Sequence, residues 1–356
     1  MFVEIIGSSH GAEGITTTIN GLPPGLHIDI DRINHDLHRR RPGQALTTPR
    51  EEKDQIDSIV GLQGNLTTDE PLVIHVPNET QRSADYSHLS GVLRPGHGVT
   101  QDLLADANAD TRGGGSSSAR LTIGNVIAGS VAAQILEREM SPDFEVVAGL
   151  SRIASVAMAV DSPEAFTRER VDASLVKCPD AAVSKLFEAA VRAAQADGDS
   201  LGAEVTIIGR GIPQGIGQRP NRPFDGLVAG HVMSINAVKS VEIGALDIHT
   251  KRGSEVVDHI AGISQGQLVT ERNLAGGILG GRTTGEELIV RAGFKPTSTQ
   301  SAVPMRTVGL DGSPRVIDMK VNKGRHDPCV AIRGCVVAEA TVAIAILEGF
   351  LAMRQK

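Results

Sequence analysis

The chain has 356 residues and a mass of 37.4 kDa, enough to bury a large core without disulfides or structural metals. Its 40% hydrophobic and 22% charged residues are typical of a globular protein and exclude global disorder. The net charge of −7 argues against a nucleic-acid partner, and we find neither a signal peptide nor an apolar run of about 18 residues, so no membrane partner is expected.

Residue patterns predict strands and helices that do not alternate as in a doubly wound sheet. In chain order they are a strand at 71–76, helices at 121–140 and 182–196, a strand at 204–208, a long loop at 210–223, a strand at 287–292 and a buried or oligomer-facing helix at 337–353. No Pro-rich or Ser-rich linker and no repeat divides the chain. We therefore predict a single α+β domain over 1–356, built of layered sheets and helices.

Glycine is abundant and aromatic residues are scarce. There are 40 Gly, seven Phe, one Tyr and no Trp, and glycines cluster at 113–115, 276–277 and 280–281. Clustered glycine lets the backbone approach a ligand and point N–H groups at it, whereas aromatic stacking needs rings that this chain lacks. The composition predicts binding through the main chain.

The cysteines indicate reduced thiols. Cys178, Cys329 and Cys335 form no CxxC motif and leave one residue over in any pairing, which is typical of a cytoplasmic protein. Cysteines and histidines also lack paired ligand spacing, so no metal site is predicted.

Two histidines lie in turns rich in small residues. His10 falls between Gly7 and Gly11, and His97 follows the turn made by Pro95 and Gly96. A histidine placed in this way can project into a cleft and act as a general acid near neutral pH, although ordinary turn histidines show the same pattern.

Four charged or hydroxyl-rich segments are candidate anion sites. Residues 112–120 place glycines and serines before a predicted helix, which suits an anion cradle or a flexible loop. Residues 295–299 combine a lysine with three hydroxyl groups, and residues 323–329 place Arg, His and Asp before an apolar helix, which favours a polar cavity over a surface turn. Four arginines within 39–50 indicate either a small-anion site or a solvated charge cluster.

Eleven sequence blocks, in order along almost the whole chain, resemble the chorismate synthase family. They are GSSHG at 7–11, RRRPGQ at 39–44, TTPREEKDQ at 47–55, RSADYS at 82–87, RPGH at 94–97, RGGGSSSAR at 112–120, GDSLGA at 198–203, MSINAVKSVEIG at 233–244, AGGILGG at 275–281, FKPTST at 294–299 and KGRHDPC at 323–329. One block could arise by chance, but eleven in register are a strong sign of family membership.

The resemblance implies a β-α-β sandwich, a homotetramer and reduced FMN as cofactor. The implied enzyme is a carbon–oxygen lyase of the shikimate pathway, which leads to the aromatic amino acids. It removes phosphate by anti-1,4-elimination from 5-enolpyruvylshikimate 3-phosphate, an anionic small molecule, and forms chorismate without net redox change.

The resemblance also implies residue roles. His10 would protonate the departing phosphate, His97 would lie against the flavin pyrimidine edge, and Asp327 would relay the proton removed through flavin N5. Both histidines are expected to titrate near neutrality. The implied flavin contacts are Ser116, Ser117, Ser118, Asn236, Ala237, Gly280, Lys295, Pro296, Thr297, Ser298, Thr299 and Arg325. The implied substrate-anion residues are Arg39, Arg40, Arg50 and Arg120.

Several positions depart from the family pattern. They are Ser8 and Leu121 in place of Glu, Leu46 and Ser116 in place of Arg, Val99 in place of Asp, and Leu274 in place of His. Losing two arginines removes charge-assisted contacts worth about 1.5–3 kcal/mol each, so we expect a thinned anion pocket and altered ligand recognition.

Three interpretations follow. The chain is an ordinary chorismate synthase; or a divergent paralogue that carries out flavin-dependent elimination or isomerisation on a related cyclohexene carboxylate in a specialised pathway; or a non-catalytic flavin-binding scaffold.

Overall fold

The computed structural model describes residues 2–7, 11, 13–80, 89, 91–110, 112–159, 162–217, 222–264, 266–318 and 326–354. Its helices are α1 (Ile30–Arg40), α2 (Val99–Ala105), α3 (Thr122–Glu139), α4 (Arg168–Ala173), α5 (Ala181–Asp197), α6 (Phe224–Met233), α7 (Gly253–Val256) and α8 (Ala331–Arg354). Its strands are β1 (Phe2–Gly7), β2 (Ile15–Asn20), β3 (Ser58–Val60), β4 (Leu62–Gln63), β5 (Leu66–Thr67), β6 (Leu72–Val76), β7 (Glu145–Ile153), β8 (Val156–Ala157), β9 (Ala203–Arg210), β10 (Val238–Ile243), β11 (Ile260–Ser264), β12 (Gln267–Thr270), β13 (Ile278–Leu279), β14 (Arg282–Thr283), β15 (Leu288–Phe294), β16 (Met305–Val308) and β17 (Pro314–Ile317).

Two antiparallel sheets form the outer layers of the core. The first has the strand order β1-β2-β6-β3 and the second has the order β10-β15-β9-β7-β8. In β2 and β6, buried residues alternate with half-buried ones, so one face of the first sheet is covered. Strands β7 and β9 are buried along almost their whole length, as expected at the centre of a sheet covered on both faces.

A helical layer lies between the sheets. Helix α3 packs along α8 and against β1 and β2, while α8 packs against β7 and β9 on its other side. The two helices approach closely at Gly129, where an added Cβ would lie 2.3 Å from the Cα of Ala340. The arrangement is a β-α-β sandwich, and the predicted α+β class is confirmed; the extent of the domain, 1–356, stays a prediction.

The two central helices, α3 and α8, are apolar on nearly every side. Each packs against the other helix and against one of the two sheets. Residues Ala119–Glu139 and α8 are long and apolar enough to cross a membrane by length and composition. Our expectation that no such run exists was therefore wrong. Most of each apolar window is buried within the protein, as in core helices of the sandwich.

The predicted elements agree with the structure to within a few residues. Helix α5 begins where the Asp180 carboxylate accepts hydrogen bonds from two backbone N–H groups, and it ends at Gly198 with φ of 69°. The strands predicted at 71–76, 204–208 and 287–292 are β6, β9 and β15. Helix α8 starts at Ala331 instead of 337, and the predicted loop at 210–223 is irregular over 211–217.

Candidate active site

A cavity of about 590 Å³ opens where six segments of the sandwich meet. Its walls come from the loop after α1, the turn before α2, the glycine-rich loop before α3, the connection from α6 to β10, the end of β15 and the residues around the start of α8. This volume lies within the range of small-molecule and cofactor sites.

The cavity wall carries a strong excess of positive charge. Six lining side chains are cationic and one is a carboxylate. The cations are Arg50, Arg94, Arg120, Lys239, Lys295 and Arg333, and the carboxylate is Asp327. A concave surface with this balance attracts anions, whereas the chain as a whole is acidic.

One side of the cavity is made largely of main chain and hydroxyl groups. Gly98 faces Ser117 so closely that an added Cβ would lie 2.2 Å from the serine Oγ. The Asn236 side chain donates to the carbonyl of Ser117 at 2.9 Å, and the buried Arg94 guanidinium donates to the carbonyl of Gly113. These contacts hold the glycine-rich loop against the cavity.

Two turns from distant parts of the chain meet across the cavity wall, and we call this contact of residues 94–98 with 295–299 the clasp. Lys295 Nζ and Ser298 Oγ both donate to the carbonyl of Gly96 at 2.7 Å. The ring Nε2 of His97 lies 2.8 Å from the hydroxyl of Thr299. Three side-chain contacts thus join segments about 200 residues apart in sequence.

His97 is neutral at physiological pH. The pKa of His97 is lowered to about 4, chiefly by burial and then by the nearby charge of Arg94, with a smaller contribution from Lys295, while the hydrogen bond to Pro95 acts in the opposite direction. The prediction that this histidine titrates near neutrality was wrong, because the sequence does not reveal the depth of the ring or the cations that face it.

Asp327 is held in the cavity by two donors. Its Oδ1 accepts from the backbone N–H of Thr48 at 3.0 Å, and its Oδ2 accepts from Arg333 at 2.9 Å. The Arg333 Nε in turn donates to the carbonyl of Arg40. Asp327 therefore ties the start of α8 to the loop after α1, in addition to lining the cavity.

Arginines and carboxylates form an ion network behind one wall, and we call it the wall network. Its members are Arg40, Arg50, Glu52, Asp54 and Arg120. Arg40 donates to Asp54 at 2.7 Å and Arg120 also donates to Asp54, while Arg50 donates to Glu52 at 2.6 Å. Arg50 and Arg120 line the cavity, so the carboxylates hold their guanidinium groups at its surface.

Burial and charge act against each other in the wall network. Burial opposes ionisation of Asp54, yet Arg40 and Arg120 together hold its pKa below the ordinary value. Burial lowers the pKa of Arg40 to about 10, assisted by Arg333 and Arg120 and opposed by Asp54. Both groups stay charged at neutral pH.

Comparison with known proteins decides the family. The family model for chorismate synthase matches residues 1–351. Curated chorismate synthases from Synechococcus sp. and Wolinella succinogenes are each 38% identical, over 98% and 96% of this chain and 95% and 91% of their own lengths. The chorismate synthase of Rhodospirillum rubrum is 37% identical over 98% of this chain and 93% of its own.

The chain belongs to the chorismate synthase family. A crystal structure of chorismate synthase superposes with a TM-score of 0.75, at 24% identity, covering 99% of this chain and 92% of that one. This likeness confirms the predicted fold. Members of the family are carbon–oxygen lyases of the shikimate pathway, and nothing in the comparisons favours a paralogue or scaffold interpretation.

The structure brings together most of the residues that the chorismate synthase resemblance implied. The lining includes His97, Ser117, Ser118, Asn236, Ala237, Lys295, Pro296, Thr297, Ser298, Thr299 and Asp327, together with Arg50 and Arg120. His10 and Arg325 lie outside the described residues.

Two implied flavin contacts do not line this cavity. The Ser116 hydroxyl donates to the carboxylate of Asp102 on α2 at 3.0 Å, on the outer side of the loop. Gly280 is exposed in the turn between β13 and β14. Within one chain, neither residue meets the cavity wall.

Two implied substrate residues are also displaced from it. Arg40 is fully buried behind the wall, where it holds Asp54 and the Thr122 hydroxyl. Arg39 points to a different cavity of about 270 Å³ and pairs with Glu339 and Asp172. We therefore correct the prediction that these two guanidinium groups face the substrate within one chain.

The described departures from the chorismate synthase pattern also lie outside the cavity lining. Leu46 and Val99 are buried in the core, Leu121 and Leu274 are half-buried, and Ser116 is exposed; Ser8 lies outside the described residues. These departures therefore remove no side chain from the cavity lining, and six cations line its wall. The expected loss of positive charge from the anion pocket is not seen in this cavity.

Three cations of the cavity wall were missed from the sequence. Arg94 lies in the RPGH block and Lys239 in the MSINAVKSVEIG block, so their place in the matching blocks was an available signal. Arg333 was missed because the C-terminal helix was predicted to start after it. In the described part of the chain, no group of three His, Cys, Asp or Glu residues could hold a metal ion.

Proposed function

We propose that the protein is a chorismate synthase that binds reduced FMN and eliminates phosphate from 5-enolpyruvylshikimate 3-phosphate. The observation that carries this proposal is the cavity in which six cations and one carboxylate face a wall of glycine and hydroxyl groups. Both proposed ligands carry phosphate, and the substrate carries carboxylates as well, so a basic, concave site matches their charge.

The residues present fit a flavin nucleotide. Thr297 lines the cavity, and its buried hydroxyl has no hydrogen-bond partner among the described residues. Two of the three protons of the Lys295 ammonium group are donated to Gly96 and Ser298, so Lys295 has one further donor at the same wall. Burial together with Lys239 lowers the pKa of Lys295. A buried hydroxyl without a partner is costly, so a ligand acceptor at this position would stabilise the site.

Reduced FMN, when bound, would supply the electron density that assists elimination. The residues of the chain would then bind and orient the substrate. Arg50 and Arg120 would hold its anionic groups, each backed by a carboxylate that fixes the guanidinium plane. Asp327 accepts hydrogen bonds from two donors, and it would take up or relay the proton that leaves the substrate. We assign protonation of the departing phosphate to His10.

We also propose that the protein is a cytoplasmic homotetramer. Large apolar side chains are exposed on two hairpins that follow each other in sequence, β11–β12 and β13–β14, with Ile260 at 69%, Ile263 at 77% and Leu279 at 61% exposure. Their exposure supports burial against other subunits. We expect small-molecule anions as the ligands and neither nucleic acid nor membrane as a partner.

Anaerobic turnover tests the proposal. The protein is mixed with photoreduced FMN and 5-enolpyruvylshikimate 3-phosphate, and both released phosphate and chorismate are measured. We expect equal amounts of the two products, and none with oxidised FMN. Flavin binding without phosphate release would contradict the proposal and favour the paralogue, for which related cyclohexene carboxylates would be the next substrates.

A further inference from the structure

Both ring nitrogens of His97 are engaged inside the protein. Nδ1 lies 3.0 Å from the carbonyl oxygen of Pro95, and Nε2 lies 2.8 Å from the hydroxyl of Thr299. We propose that Thr299 is a positioning residue, whose hydroxyl holds His97 as the neutral imidazole that is protonated at Nδ1.

The tautomer follows from the partners. A carbonyl oxygen can only accept a hydrogen bond, so Nδ1 must carry the proton that is donated to Pro95. A neutral imidazole then has a lone pair at Nε2, and the Thr299 hydroxyl donates to it. If Nε2 were protonated as well, the hydroxyl would have to turn and act as acceptor.

The surroundings favour the neutral ring. The groups that face His97 are Arg94 from its own turn, Lys295 from the end of β15 and His326 from the segment before α8. Burial lowers the pKa of His97 most and all three groups lower it as well, so that it lies at about 4 although the hydrogen bond to Pro95 raises it. The hydrogen bond from Thr299 acts in the same direction because it stabilises the neutral form.

Thr299 can be altered without opening the clasp. Lys295 and Ser298 each donate to the carbonyl of Gly96, so two contacts between the turns remain when the Thr299 hydroxyl is removed. A change at Thr299 therefore reports on the histidine, with the position of the turns retained.

This assignment has a consequence that rests on the proposed function. At neutral pH, His97 in the unliganded protein has no proton on Nε2, and its Nδ1–H group donates a hydrogen bond to the carbonyl of Pro95. The ring is therefore a fixed hydrogen-bonding dipole in the cavity wall, and proton delivery to the leaving phosphate falls to another residue.

Nuclear magnetic resonance of the unliganded protein tests the inference independently of flavin or substrate. Histidine is labelled with 13C at Cε1 and with 15N in the ring, and the His97 signal is assigned as the one that His97→Gln removes. In the wild-type protein we expect the Nδ1-protonated tautomer and no titration of His97 between pH 6 and 8. In Thr299→Val we expect the pKa of His97 to rise by about one pH unit, whereas Thr299→Ser keeps the wild-type value.

Two results would overturn the inference. One is a wild-type His97 that carries its proton on Nε2 or titrates near the ordinary value of 6.5. The other is a folded Thr299→Val protein in which the tautomer and the titration of His97 are unchanged. The wild-type measurement stands alone if Thr299→Val does not fold.

Discussion

Arg39 and Arg40 are adjacent at the end of α1, yet they enter two ion clusters of different character. Arg40 belongs to the wall network, which keeps Arg50 and Arg120 at the surface of the 590 Å³ cavity. Arg39 joins Arg168 on the buried Glu339, beside the 270 Å³ cavity. Successive residues of a helix point about 100° apart, which sends the two guanidinium groups to different places.

The cavities beside the two clusters differ in their balance of charge, since the 270 Å³ cavity is lined by three arginines and four carboxylates. The cavity of the wall network is lined by six cations and one carboxylate. In the other cluster, Glu339 accepts from both arginines and from the backbone N–H of Ala148, while Asp172 binds Arg39 and Lys177. An excess of cations can take up an anionic ligand, whereas a cluster that satisfies itself stabilises the fold. This contrast leads to separate effects on stability and on activity.

The largest effect is expected for Glu339→Gln. The change leaves two arginines without their shared buried charge, and breaking a buried pair costs about 3–5 kcal/mol of unfolding free energy. Urea denaturation measures the loss, with Glu188→Gln on the surface of α5 as the control. Flavin affinity of the folded variant should stay at the wild-type value. A loss below about 1 kcal/mol would show that the cluster does not support the fold.

These clusters also show what sequence can and cannot predict. The long elements were predictable because apolar spacing in α3, α5 and α8 and β-branched runs in β6, β9 and β15 reflect local periodicity. Arg39 and Arg40 were both predicted to bind the substrate because they are adjacent in one motif. Their roles differ because their partners, Glu339 and Asp54, come from different parts of the chain.

The site was predictable where its chemistry lies in contiguous blocks. Residues 295–299 and Asp327 were found because their motifs are continuous in sequence, and they line the cavity. The charge state of His97 was not predictable, since it depends on burial and on Lys295 and Thr299, which are about 200 residues away in sequence. Short hairpins such as β11–β12 carry too few residues for a periodic pattern.

A smaller effect is expected in the pH dependence of stability. The pKa of His97 is about 4 in the folded protein and near 6.5 in the unfolded chain. As pH falls from 6.5 to 4, the unfolded chain binds a proton that the folded protein does not, so this residue lowers stability by up to about 1.4 kcal/mol per pH unit.

Thermal or urea unfolding at several pH values checks this. His97→Gln should lose less stability than the wild type between pH 6.5 and pH 4, and the two should run in parallel above pH 7. If the unfolding free energies of His97→Gln and the wild type fall equally steeply with pH throughout the acid range, His97 is protonated in the folded protein.

The smallest effect is expected for Ser116→Arg. The departure of Ser116 from the Arg of the family pattern predicts tighter FMN binding in this variant. In the structure Ser116 faces Asp102, so a new guanidinium would pair with that carboxylate. We expect FMN affinity to change by less than about twofold, because an ion pair at the surface contributes only a small free energy. Fluorescence titration measures it, and tightening only in Ser116→Arg combined with Asp102→Asn would confirm the cause.

The role of the wall network is tested most directly by anaerobic phosphate release from 5-enolpyruvylshikimate 3-phosphate with reduced FMN, comparing Arg50→Met with Arg192→Met. Arg50 lines the cavity, whereas Arg192 is 61% exposed on α5. Losing a charge-assisted contact worth about 1.5–3 kcal/mol should lower kcat/KM by about 10- to 100-fold in Arg50→Met and leave Arg192→Met at the wild-type value. Equal rates in the two variants would contradict anion recognition by this wall.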